Sequence, residues 1–586
     1  VAIHTIRHRQ PASWPLRGTG NLLAVVVHNA YEEDRMSHVQ TAEALSAHVK
    51  GAVFQPEDPG WDDARAAWNL AVDQRPAAVA CPVDEDDVAA VIAHARERGL
   101  RVAPQGTGHN AGPLGSLGDS ILLRTGAMRG VEVDAERRVA RVRAGDLWQD
   151  VMGPVAEQGL TALCGSSPDV GIVGYSLGGG MGWLARKYGL QCNSVTAAEL
   201  VLADGSRVRC DRDHEAELFW ALRGGGGSFG VVTAIEFALY PIAEVYGGAL
   251  VWDWHESERV LARWAEWAPT APEEITTSAR ILQLPPLPEI PEPLRGRKLV
   301  MIDGAYAGDA ADAEVALAPL RELAPEIDMF GPMPSPALAH LHGDPENPVP
   351  AASGHALLGE LPADAVSAFV QAAGPGSGSP LLAAELRQLG GALARVPEEH
   401  GALARLDAAY ALFAVGIAPT PEIGAAVAGH AQALAGAMAP WATGTSYLNF
   451  AEVPTDVRSG YDEQTYARLR AVRTAVDPDG LIHANHPIDA CADRRTPREH
   501  ERSPPTSPRR GGRHEHAFRT SRQREPGSHA LDHSHHRRNR HRRAWVAAQG
   551  SARDAARDRR GGRDRRAGDR PRPRALSPSG ELRQAA

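Results

Sequence analysis

Residues 100–112 read LRVAPQGTGHNAG. The short stretch Leu100 to Ala103 predicts a strand, and it leads into a loop holding three glycines and one histidine. Upstream, Ala78 to Cys81 predicts a second strand. Asp84 then starts a helix: its side chain can cap, and the acidic first turn suits the helix dipole. Val88, Val91, Ile92 and Ala95 recur at helical spacing before Gly99 stops the helix. The unit is strand, helix, strand, glycine loop, and the end of a strand is where α/β folds place nucleotide phosphates. The spacing is not a dinucleotide fingerprint, because Gly106, Gly108 and Gly112 give G-x-G-x-x-x-G and PLGSLGDS follows in place of a helix. No Lys-Ser/Thr follows, so it is not a P-loop. Alone, the loop reads as a turn.

Two further glycine clusters change that reading. Residues 160–190 read LTALCGSSPDVGIVGYSLGGGMGWLARKYGL, with Gly171, Gly174, Gly178, Gly179, Gly180 and Gly182 close together. Without Cβ atoms, such a backbone can lie against a flat or charged ligand. Residues 218–239 read LFWALRGGGGSFGVVTAIEFAL, where glycines lead into a strand starting near Val231. Three such clusters in succession are hard to explain as unrelated turns.

The chain has 586 residues, enough for two or more domains. Five cysteines are scattered without C-x-x-C spacing. This argues against a disulfide scaffold or structural zinc and fits a reducing, cytoplasmic compartment. No apolar run approaches the roughly 18 residues that span a bilayer, so no membrane partner is expected. Residues 491–586 hold 26 arginines, no lysine and 11 acids, about +15, which leaves about −25 on the preceding 490 residues. An acidic body does not suit nucleic acid. The tail is too poor in aliphatic residues to offset chain entropy and is expected to be disordered. It reads either as an anion- or RNA-binding arm or as translation past a natural end; arginine without lysine favours the second. Residues 1–40 are expected to be an unstructured leader, with the natural start near Met36.

Taken together, GTGHN, PDVGIVGYSLGGGMGWLARKYGL, ELFWALRGGGGSFGVVT and, later, TGTSYLNFAEV and DPDGLIHANHPI resemble the berberine bridge enzyme-like branch of the vanillyl-alcohol oxidase/p-cresol methylhydroxylase (PCMH-type) flavoproteins, over roughly residues 68–488. The resemblance implies an α+β fold. A two-part FAD-binding domain of mixed parallel and antiparallel sheets with helices would take 41–243 and the closing segment 443–490. An antiparallel-sheet substrate domain with helices on one face would take 244–442. Within that region the pattern predicts strands at Gly248 to Trp252, Thr276 to Leu284, Lys298 to Tyr306 and Tyr410 to Val415. Helices are predicted at Ser257 to Trp267, at Asp312 to Leu323 with a kink at Pro319, and at Pro421 to Met438.

The resemblance also assigns a site. His109 stands where family members bond the 8α carbon of FAD, and an imidazole nitrogen is a good nucleophile near neutral pH. A histidine that only hydrogen-bonds a phosphate is the simpler alternative. Many members carry a second link, from the cysteine of C-P-T-V-G; here the stretch is Ser167-Pro168-Asp169-Val170-Gly171, and a hydroxyl cannot replace a thiolate. Cys164 is three residues out of register. A single covalent link is therefore expected. Cofactor contacts are expected from Gln105, Gly106, Thr107, Gly108, His109, Asn110, Ser167, Pro168, Asp169, Gly171, Gly174, Tyr175, Gly178, Gly179, Gly180, Gly182, Gly230, Val231, Val232 and Asn485. Tyr175 departs from a family histidine.

Tyr447, in Tyr447-Leu448-Asn449, matches a position that in related enzymes removes the substrate proton; packing against the flavin and orienting substrate is the alternative. A free tyrosine titrates near pH 10, so a base role asks for a nearby positive charge or donor. His340 and His342 read as a loop contact to substrate or another domain, with no carboxylate-rich metal site evident. The expected activity is FAD-dependent oxidation of an alcohol, hemiacetal or amine carbon of a small molecule, with O2 as acceptor giving H2O2. A dehydrogenase of the same fold using another acceptor is the alternative.

Overall fold

Ala52–Phe54 (β1), Ala78–Cys81 (β2), Arg101–Gln105 (β3) and Ser120–Arg124 (β4) form a sheet in the order β1-β2-β4-β3. The last three are parallel, and β1 runs antiparallel to β2. The crossover is α1, Glu85–Arg98: the Asp84 carboxylate accepts from the Asp87 amide at 3.1 Å, and Gly99 ends the helix at φ 66°. Val88, Val91, Ile92 and Ala95 bury their stripe against Val102 and Ile121. The glycine loop thus leaves the end of β3, as the sequence predicts. The computed structural model describes residues 44–491; the expected leader and all but the first residue of the expected tail lie outside the described residues.

Val131–Asp134 (β5), Val139–Arg143 (β6), Val195–Val201 (β7), Arg207–Asp211 (β8) and Val231–Ala238 (β9) build a second sheet, ordered β5-β6-β9-β7-β8. All its pairings are antiparallel. Between β6 and β7 the chain makes α2 (Trp148–Ala156) and α3 (Ile172–Leu177), and the second glycine cluster follows α3 directly.

The third sheet begins at residue 244. Its strands are Glu244–Asp253 (β10), Ile275–Gln283 (β11), Lys298–Tyr306 (β12), Ile327–Asp328 (β13), Gly331–Pro334 (β14), Ala351–Leu358 (β15), Ala383–Gln388 (β16) and Tyr410–Ile417 (β17). The order is β13-β10-β12-β11-β16-β17-β15, with β14 also on β10, and every pairing is antiparallel. Four helices pack on it: α4 (Ser257–Trp267), α5 (Ala310–Arg321), α6 (Ala363–Ala373) and α7 (Pro421–Ala437). Their Val260, Trp264, Leu317, Phe369 and Leu434 share one core with Leu250, Ile302, Leu386 and Leu412 of the strands. Because side chains alternate along a strand, the opposite face receives Arg280, Asp303, Glu385 and Arg387.

The expected strands at 248–252, 276–284, 298–306 and 410–415 all lie in this sheet. The expected kink at Pro319 does not break α5, which runs on to Arg321. The proline follows two full turns, and the helix ends within one turn of it, so few backbone bonds are at stake.

Residues 463–491 return to the first sheet. Glu463–Val476 (α8) ends at Asp477. The Val102 amide donates to Leu481 O at 2.9 Å and the His483 amide to Val102 O at 2.7 Å, so this segment docks beside β3. Asp477 is buried and accepts from the amides of Leu481 and Ile482 at 2.9 and 2.8 Å, while its charge is met by Arg473 at 2.8 Å. Replacing Asp477 by alanine strands a buried guanidinium and two amides. Urea denaturation of Asp477→Ala is expected to show a loss of about 3–5 kcal/mol; a change below about 1 kcal/mol would remove this segment's anchoring from the account.

Candidate active site

The glycine loop is held from outside. Thr107 O accepts from the Trp68 amide at 2.9 Å, and Gln105 Oε1 accepts from Gln74 at 3.0 Å. His109 lies flat on the Trp68 indole, with ring centroids 4.1 Å apart and planes 22° apart. Its Nε2 sits 3.3 Å from Asp169 Oδ1, off the axis of an aligned hydrogen bond. Asp169 also accepts from the Trp68 indole N–H and, at 3.2 Å, from the Ser167 hydroxyl. Burial pushes the Asp169 carboxyl up, but His109, Trp68 and Ser167 together hold it below its ordinary value. His109 and the Ser167–Asp169 pair, about 60 residues apart in sequence, therefore meet through Asp169.

The closing segment reaches the same place. Asn110 donates to Leu448 O at 3.1 Å, Asn485 donates to Asn110 O at 3.3 Å, and Asn449 donates to Tyr175 O at 3.0 Å. The second glycine cluster packs under Tyr447 and Asn449. A Cβ on Gly178 would lie 1.8 Å from Asn449 Oδ1, and one on Gly182 would lie 1.8 Å from Cys164 O. Gly180 adopts φ +81° with Tyr175 directly beside it. Gly171 precedes α3 as its N-cap, Gly174 lies inside that helix, and Pro168 O accepts from Gln149. Gly230, Val231 and Val232 start β9; Val231 packs with Val102 and Ile482, and Val232 with Trp148, so these two side chains belong to the cores.

Several buried polar atoms around the cradle have no partner within the protein: Gln105 Nε2, Asn110 Oδ1, Tyr175 OH, Trp183 Nε1 and both polar atoms of Gln191. Each unmade bond costs about 1–3 kcal/mol. A backbone cradle without Cβ atoms, surrounded by spare donors and acceptors, fits a large, flat, polar ligand.

Tyr447 is 1% exposed, and burial pushes its phenol well above the ordinary tyrosine value. It is edge-on to Phe450 at 5.1 Å, and Asn449 Nδ2 reaches its hydroxyl at 3.4 Å. The positive charge that a base role asks for is Arg387, which lies over the other partner, the Phe450 ring, at 5.2 Å and acts to lower the phenol, though burial outweighs it. Cys164 is buried, and desolvation pushes its thiol up to about 12, so it is no nucleophile.

Sequence reasoning missed the carboxylates. His342 does meet acids: its Nδ1 is 2.8 Å from Asp303 and its Nε2 is 3.1 Å from Glu385, while His340 pairs separately with Glu346. Burial and Arg280 oppose a charge on His342, but the two carboxylates outweigh them and raise it. Arg280 binds Asp303 at 2.5 Å, and Arg387 binds Glu385 and reaches Ser166 at 3.3 Å. Glu452, three residues after Asn449, is half-buried, and desolvation pushes its carboxyl up; it accepts from Ser353 at 2.6 Å. The signal available was alternation: Glu385 and Arg387 sit two apart in a strand whose intervening residues are apolar.

An FAD binding domain family model matches residues 76–211. (R)-6-hydroxynicotine oxidase of Paenarthrobacter nicotinovorans is 33% identical over 230 residues, 39% of this chain and 47% of that protein. The chain thus spans about half the length of the curated relatives it matches in sequence. In structure, wild-type BBE-like 1 of Physcomitrella patens superposes with a TM-score of 0.68 at 20% identity, over 77% of this chain and all of that one. Glucooligosaccharide oxidase from Acremonium strictum, which holds a 6-S-cysteinyl, 8α-N1-histidyl FAD, superposes with a TM-score of 0.66 at 24% identity, over 77% of this chain and 100% of that one. At these identities the two structures establish the fold alone. The chain carries an FAD binding domain at residues 76–211, set within a fold shared with BBE-like 1 and glucooligosaccharide oxidase.

Proposed function

We propose that this chain is an FAD-linked oxidase of a small organic substrate, with the cofactor bonded through His109 alone and O2 as the electron acceptor. The observation that carries this reading is that the His109 loop and the Gly178–Gly182 cradle are both joined to the Tyr447-Leu448-Asn449 segment, the loop through Asn110 and Leu448 and the cradle through Tyr447 and Asn449. Gln105 to Asn110 and Ser167 to Gly182 would line the cofactor, with Asn485 closing its edge. Bound FAD supplies a two-electron acceptor at flavin N5 for a hydride from an alcohol, hemiacetal or amine carbon.

The protein's own part is to hold the substrate and move its proton. Tyr447 stands against the cradle at Gly179, where an added Cβ would come within 3.2 Å of its hydroxyl. Held neutral by burial, this phenol orients the substrate's O–H or N–H by hydrogen bonding. It becomes a base only as it ionises, and Arg387 is the cation placed to favour that. Ser167 supplies no thiolate and Cys164 stays protonated, which supports one covalent bond rather than two.

Denaturing the purified protein in acid is expected to leave the yellow colour with the pellet, and His109→Ala is expected to release it to the supernatant; release from the parent would contradict the link. Anaerobic mixing with a panel of sugars, alcohols and amines should bleach the flavin band with at least one class, and aerobic turnover should consume O2 and form H2O2. Bleaching without O2 uptake would identify a dehydrogenase instead.

With such a substrate, turnover should rise with pH above neutrality as the phenolate fraction of Tyr447 grows. Tyr447→Phe should lower kcat by on the order of 10²–10⁴ and flatten that rise. An unchanged profile in the variant would exclude Tyr447 as the proton acceptor.

A further inference from the structure

We propose that Asp169 is the positioning residue that readies His109 for attachment, holding the Nε2 edge of the imidazole so that Nδ1 is the nitrogen that bonds the flavin. This rests on the reading that His109 is the attachment residue.

The geometry isolates the two nitrogens from each other. Nε2 is buried and faces Asp169 Oδ1 at 3.3 Å, while the side chain as a whole keeps 22% exposure, which lies on its other atoms. Among the described residues Asp169 is the one carboxylate within ion-pairing distance of this histidine. A carboxylate only accepts, so it selects the tautomer with hydrogen on Nε2 and leaves the lone pair on Nδ1.

Trp68 fixes both partners at once. Its face fixes the plane of the imidazole, and its indole N–H binds Asp169 Oδ2. Ser167 binds the other carboxylate oxygen, Oδ1, at 3.2 Å. The carboxylate is thereby aimed, and a group aimed in advance loses little entropy when it acts. The sequence adds a second argument. Where the resembled pattern reads C-P-T-V-G, this chain has serine at 167 and an acid at 169. The Ser167 hydroxyl supports the carboxylate that faces His109.

The step balances as follows. One N–C bond forms, from Nδ1 to the 8α carbon, and one C–H bond there breaks. The carbon's hydrogen leaves as a proton, Asp169 accepts the Nε2–H hydrogen bond and stabilises the positive charge that develops on the ring, and the Nε2 proton then leaves to solvent. The C–H electron pair passes to the flavin, and O2 takes that pair with both protons as H2O2.

The test compares the parent, Asp169→Asn, Asp169→Glu and His109→Ala, each incubated with added FAD and sampled over time for flavin retained after acid precipitation. Asp169→Asn is expected to bind FAD but attach it on the order of 10²-fold more slowly, with Asp169→Glu recovering much of the rate. In parallel, NMR of the flavin peptide from the parent should show an Nδ1 link. Attachment by Asp169→Asn at the parental rate, or an Nε2 link in the parent, would overturn the proposal. If Asp169→Asn takes up no flavin, the linkage isomer decides alone. Complete release of flavin from the parent would instead refute His109 as the attachment residue.

Discussion

A single backbone exchange organises the site: residues 481–483 lie along β3, with Val102 giving its amide to Leu481 and accepting from His483. The glycine loop starts at Gly106, four residues beyond that pairing. Docking the closing segment there brings Leu448 onto Asn110, Asn485 onto the loop backbone, and Tyr447 over the second glycine cluster. The pairing is itself secured by Asp477, buried with Arg473 and bonded to the two amides that enter the strand-like stretch. Without this anchor the loop and the cradle would have no roof.

The large sheet completes the enclosure through its two unlike faces. One is apolar and covered by four helices. The other holds Arg280, Asp303, Glu385 and Arg387, with His342 joining them from a loop. Buried charges are costly unless paired and hydrogen-bonded, and here every member has a partner of opposite sign. Arg387 connects this array to the aromatic pair Tyr447 and Phe450, so the charge on the sheet and the proton on the phenol are coupled across one ring.

Much of this was legible in the sequence. The α1 cap, stripe and stop were local signals, and β12 and α4 fall at their expected bounds because apolar periodicity and flanking turns agree. The glycine clusters and the Tyr447-Leu448-Asn449 motif were legible through resemblance, since nothing local says that residues 109, 169 and 447 meet. Strand β16 was missed: AAELRQ alternates small apolar and charged residues, and reads as surface until the second, buried charged face is known. Pro319 misled because a proline near a helix end disturbs little. Asp169 was expected only as a cofactor contact; its meeting with His109 spans 60 residues, beyond any local pattern.

The central claim is that the loop after β3 carries the flavin on its histidine. Tryptic mapping of the acid-denatured protein by mass spectrometry tests it most directly. The account predicts one FAD on the peptide spanning residues 102–124, fragmenting at His109. That peptide at its unmodified mass, with all the flavin free in solution, would contradict it.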